Sequence, residues 1–157
     1  MGREATITLP DEIDNIKDEE IIEALIVGCR YMLVWLQVPG CKEVKVSRCK
    51  VKQITEMMEV AVNMPNIKQI YLFGSCISSL CREKSDIDFY VVVTDDDSRE
   101  VSFKRSNMLY EKSITCDWLE YDWVEEKESK FKDKLERGVG LMKLFKKEAV
   151  LLYERNL

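Results

Sequence analysis

The sequence predicts an α+β domain whose elements run in α/β-type order: a small mixed β-sheet flanked by helices, with a helical extension in front. Three observations predict it. Short apolar runs bounded by turn residues recur at 69–73, 87–94 and 114–121. Segments with three- and four-residue apolar spacing separate and follow them. The chain has 157 residues, 46% hydrophobic and 34% charged, which is enough for one packed core under a wet surface.

Residues 1–17 are polar and read as an irregular arm. From Asp18 the pattern is helical, with Ile22, Leu25, Ile26, Cys29, Met32, Leu33 and Leu36 on one face until Pro39-Gly40 stops it. Asp18, Glu19 and Glu20 suit the positive end of that helix. Its apolar stretch 24–38 contains Arg30 and falls short of the roughly 20 residues a membrane span needs. It is expected to be a buried helix. The basic stretch that follows (Lys42, Lys45, Arg48, Lys50 and Lys52 against Glu43) reads either as a solvated connection or as a patch for an acidic partner or nucleotide phosphates. A second helix is expected over 51–63, with Ile54, Met57, Met58 and Ala61 inward, closed by Pro65. Residues 1–64 therefore form the N-terminal helical extension and 65–157 the main domain.

In the main domain, Gln69 to Phe73 reads as a buried strand ending at a glycine. Cys76 to Cys81 reads as a short helix, and Ile87 to Thr94 as a second strand closed by "DDDS". A helix with a weak apolar stripe is expected over 98–111. A third strand is expected over Ile114 to Tyr121, "ITCDWLEY". A charged helix over 125–137 carries four-residue acid–base pairs, Gly138 and Gly140 interrupt it, and a last helix over 141–148 leads to the apolar tail "VLLY".

Composition narrows the function. A net charge of −5 disfavours duplex DNA as a partner. Histidine is absent, so catalysis must rest on carboxylates, a metal they hold, cysteine or lysine. Six cysteines show no Cys-x-x-Cys pair, and Cys29, Cys41 and Cys49 lack zinc spacing. The polar, acidic first twenty residues do not read as a signal peptide, so free thiols in a reducing cytoplasm are expected.

The main-domain pattern also holds a candidate site. Asp86 and Asp88 flank Ile87 at the start of an apolar strand, so both carboxylates face one way, about 6–7 Å apart. Their repulsion calls for compensation, and Mg²⁺ takes hard oxygens from one or two carboxylates and from phosphates. Asp117, inside the third apolar run, is a third candidate acid. Gly74 and Ser75 follow the first strand, where free N–H groups at a turn attract phosphate and glycine allows close approach. Each piece also has a structural reading: an ordinary turn, a capping Asp86, an Asp117 that reaches solvent at a sheet edge.

Together, "LFGS", ten residues, "DID" and a later "TCDWL" resemble the nucleotidyltransferases of the DNA polymerase β superfamily, and within it the minimal nucleotidyltransferases. The ending "FKKEAVLLYE" is similar as well, and the resemblance covers roughly residues 65–157. It implies that Gly74 and Ser75 position nucleotide phosphates. It implies that Asp86 and Asp88 bind Mg²⁺ or Mn²⁺, and that Asp117 completes the metal site and helps activate an acceptor hydroxyl. The implied reaction moves a nucleoside monophosphate, AMP from ATP by default, to a hydroxyl and releases pyrophosphate. The resemblance also implies a second role, a non-catalytic antitoxin or partner-binding module for a helical HEPN-type toxin, and allows a homo-oligomer. Ile77, Ser78 and Ser79 stand where the family often carries a small residue, a basic residue and a glycine.

Overall fold

A computed structural model describes residues 19, 22, 25, 32–116 and 120–156. Glu19, Ile22 and Leu25 are helical and exposed. The expected helix does not reach Pro39. Leu33–Leu36 is instead a strand (β1), paired antiparallel with Val44–Ser47 (β2) as Val34 opposite Val46. The basic stretch read as a connection is therefore half strand, followed by a 3₁₀ turn at Arg48–Lys50. "LVWL" has little helical preference that a partner strand cannot override, and a short apolar run does not reveal its period.

Helix α1 (Val51–Ala61) buries Ile54, Met57, Met58 and Ala61, the face its spacing predicts. Next come β3 (Ile67–Phe73), β4 (Ile87–Val93) and α2 (Arg99–Thr115), whose first turn is capped by Ser98 Oγ accepting from the Val101 N–H at 3.2 Å. The expected third strand over 114–121 is overturned at its start, because Ile114 and Thr115 finish α2. The strand is β5, Tyr121–Lys127, displaced towards the C-terminus. The charged helix accordingly begins later, as α3 (Glu128–Arg137), and Gly138 ends it in the left-handed conformation at φ 57°. After α4 (Leu141–Glu148) the apolar tail forms β6 (Val150–Glu154).

The main sheet has the order β5-β4-β3-β6. The β3–β4 and β3–β6 pairs are antiparallel, and β4–β5 is parallel, so the sheet is mixed as expected. Alternation along the strands divides the core in two. Ile70, Leu72, Ile87, Phe89 and Val91 pack on the side of α1 and α2. Tyr71, Phe73, Tyr90 and Val92 face the other side, under α3 and α4. There the Phe145 ring lies 5.1 Å from Tyr71, 6.0 Å from Phe73, 4.9 Å from Tyr90 and 5.8 Å from Phe131. Among the described residues no helix is long and apolar enough to cross a membrane.

Buried Arg105 ties α2 to β5. Its guanidinium donates to both oxygens of Asp97 at 2.7 and 2.6 Å, to both of Glu125 at 2.7 and 3.0 Å, and to the Pro65 carbonyl at 3.1 Å. Ser102 and Trp123 also donate to Glu125, and Asn66 to Asp97. This network seats an otherwise exposed edge strand beside β4.

Candidate active site

Three strands bring the site together by register. Phe73 on β3 lies opposite Asp88 on β4, and Asp88 is the in-register neighbour of Asp122 on β5. Neighbours in register point to the same face. Because Phe89 and Trp123 face α1 and α2, Asp88 and Asp122 face the α3–α4 side, at the end of the aromatic cluster. Asp86 sits one residue before β4 and is exposed.

The electrostatics follow from the crowding. Partial burial, then the Asp122 charge and a hydrogen bond between the two carboxyls, then the Asp86 charge, push Asp88 up from 3.8 to about 6. The repulsion inferred from the Asp86–Asp88 spacing is therefore present, but Asp122 is its larger source.

Gly74 completes the site. It follows β3 with φ 77°, and a Cβ placed on it would stand 2.2 Å from Asp88 Oδ2. Glycine is required here twice, for its backbone angle and for the approach of the carboxylate. Ser75 follows in a 3₁₀ turn, Gly74–Ile77. The short helix expected over Cys76 to Cys81 does not form. The backbone is extended at Ser78, whose N–H and hydroxyl both return to the Ser75 carbonyl, at 3.0 and 3.1 Å. Gly74, Ser75, Ile77, Ser78, Leu80 and Glu148 line a cavity of about 470 Å³. Gly74→Ala is expected to cost about 1–3 kcal/mol of stability through left-handed strain and the clash with Asp88. A thermal melt measures it, and an unchanged melting temperature would contradict the close approach.

Asp117 lies outside the described residues. The acid that the structure brings to Asp88 is Asp122, which sequence reasoning passed over. Its signal is the alternation of "YDWV", which a strand over 114–121 cuts off after Tyr121. Among the described residues no group of three or more His, Cys, Asp or Glu side chains is gathered closely enough to hold a metal by itself. The donors still fit a hard divalent cation. Two carboxylates that repel each other suffice when phosphates and water supply the remaining oxygens.

The model of the family described as "Polymerase beta, Nucleotidyltransferase" matches residues 53–156, about two thirds of the chain. The chain belongs to the polymerase β nucleotidyltransferase family. The match begins inside α1, earlier than residue 65, where the resemblance in sequence begins. A comparison with curated proteins finds no match. Membership gives the domain a general nucleotidyltransferase character, and the glycine turn, the Asp88–Asp122 pair and the mixed sheet are the parts on which that chemistry would rest.

Proposed function

We propose that this polymerase β-type domain transfers a nucleoside monophosphate, AMP from ATP, to a hydroxyl acceptor and releases pyrophosphate. The observation that carries the reading is the register pairing of Asp88 with Asp122 under a glycine turn that no side chain could share. Asp88 and Asp122, with Asp86 beside them, would hold Mg²⁺ or Mn²⁺. That ion would neutralise charge on the triphosphate and make the acceptor oxygen more acidic. Gly74 and Ser75 offer backbone N–H groups and a hydroxyl to the phosphates beside the cavity they line. The acceptor oxygen bonds to the α-phosphorus while the bond to the bridging oxygen breaks. Pyrophosphate leaves with that electron pair, and the hydroxyl proton passes to the carboxylates.

The test is incubation with labelled ATP, Mg²⁺ or Mn²⁺ and lysate of the source cells, with Asp86→Asn/Asp88→Asn as control. Label on protein, RNA or a small molecule that disappears in the double variant supports transfer. Label that persists in the variant overturns it.

A second reading is a partner-binding module on the same fold, such as an antitoxin for a HEPN-type toxin. Val139, Leu141 and Leu144 favour it: they expose 69%, 56% and 50% of their surface around the start of α4. Absence of transfer together with capture of a helical partner by this surface would favour that role.

A further inference from the structure

The segment 78–86, which leads from the glycine turn to Asp86, is fastened to the start of α1 at two neighbouring points. Lys50, only 2% exposed, donates through Nζ to the Glu83 carbonyl at 2.8 Å. One residue earlier, Cys49 Sγ lies 3.9 Å from Cys81 Sγ. Cys49 is half-buried and Cys81 fully buried. Ser47 Oγ lies 3.2 Å from Cys49 Sγ. Burial raises the Cys81 thiol, the neighbouring Cys49 sulfur raises it further, and Ser47 and the Lys50 ammonium work in the opposite direction. Two thiols that need move only about 2 Å closer to bond, in a spot pinned by the buried Lys50 contact, form a dithiol rather than two unrelated core residues.

We propose that Cys49 and Cys81 form a reversible disulfide under a low-molecular-weight disulfide such as oxidised glutathione, locking the 78–86 segment to the start of α1. Cys49, the more accessible thiol, loses its proton and attacks the glutathione disulfide. A mixed disulfide forms and one glutathione thiolate leaves. Cys81, deprotonated in turn, attacks the Cys49 sulfur and displaces the second glutathione. The two protein thiols are oxidised and the glutathione disulfide is reduced. The two protons end on the two glutathione thiols. This inference stands apart from the proposed transfer reaction, since neither sulfur belongs to that site.

The experiment equilibrates the full chain with reduced and oxidised glutathione in varied ratio, traps remaining thiols with N-ethylmaleimide and maps the peptides. A Cys49–Cys81 linked peptide, 2 Da lighter than the two thiol peptides, is expected. The bond joins residues 32 positions apart. The oxidised chain should therefore melt about 5–10 °C higher, return to its original value with dithiothreitol, and show no such rise as Cys49→Ser. Because the mapping uses the unaltered chain, a folding defect in the variant cannot hide the answer. A link to another cysteine, a mixed disulfide that stops at Cys49, thiols that stay reduced in oxidised glutathione alone, or an unchanged melt of the linked protein would each overturn the proposal.

Discussion

Asp88→Asn is expected to slow transfer severely and, in metal-free buffer at neutral pH, to stabilise the fold. Asp88 is lifted from 3.8 to about 6 by burial, by Asp122 and by Asp86. A carboxyl whose folded pKa lies above its unfolded value holds its proton longer in the folded state. It costs nothing below about 3.8, and its penalty grows as pH rises and is complete above about 6. A shift of that size in a fully enclosed group would amount to about 3 kcal/mol. Asp88 is only partly buried, so solvent screening reduces this to about 1 kcal/mol. The variant should melt about 2–4 °C above the parent at pH 7.5, with no advantage near pH 3. Mg²⁺ with ATP should raise the melting temperature of the parent and not that of the variant. In the transfer assay, Asp88→Asn and Asp122→Asn should each lose about 10³-fold in rate, the scale expected when a ligand to a charge-neutralising ion is removed. Asp117→Asn serves as comparison. Full activity in Asp122→Asn with loss in Asp117→Asn would remove Asp122 from the site. A variant that melts lower than the parent at pH 7.5, or equally above it at every pH, would show that the carboxylates do not crowd.

Arg105→Leu is expected to be the most damaging single change to stability. Arg105 is 0% exposed and holds two carboxylates. Burial alone would lower its pKa, but hydrogen bonds and charge from Asp97 and Glu125 outweigh this and hold it up. In return, the hydrogen bonds from Arg105 keep Asp97 below the usual carboxylate range, and they keep Glu125 low against the burial that would raise it. Removing the cation leaves two poorly solvated anions, a loss of about 3–5 kcal/mol. That is roughly 6–20 °C in melting temperature. Adding Asp97→Asn and Glu125→Gln to the Leu variant should recover part of the loss, because the uncompensated charges are then gone. With depressed folded pKa values, the contribution is present above the ordinary values of 3.8 and 4.5 and is lost as pH falls below them. The parent should therefore unfold in acid more steeply than the Leu variant. A mild loss in Arg105→Leu, with no difference in acid sensitivity, would show that the network contributes little. Because Glu125 and Asp122 share β5, the same variant should also weaken the site.

The two outcomes separate what was legible in sequence from what was not. Gly74, Asp86 and Asp88 stand on a local pattern of strand, glycine, spacing and strand, which one stretch of chain carries whole. The buried face of α1 and the strands β3 and β4 were readable for the same reason. The third acid depends on where β5 begins. "ITCDWLEYDWVEEK" alternates well enough to be a strand in more than one frame, and each frame offers its own aspartate. Pairing with β4 selects 121–127, and with it Asp122. In sequence nothing marks Arg105 out on its weakly amphipathic helix, since its partners are eight and twenty residues away and no periodicity points to them.

By itself the sequence determined α1, β3, β4, the helices that follow them, the glycine turn and the Asp86–Asp88 pair, because these follow from residue types acting on near neighbours. Only the tertiary structure decided the β1–β2 hairpin, the frame of β5, the Asp88–Asp122 contact and the Cys49–Cys81 approach. Each is a meeting of distant segments, and hydrogen-bond register and burial choose among arrangements that local preference leaves nearly equal.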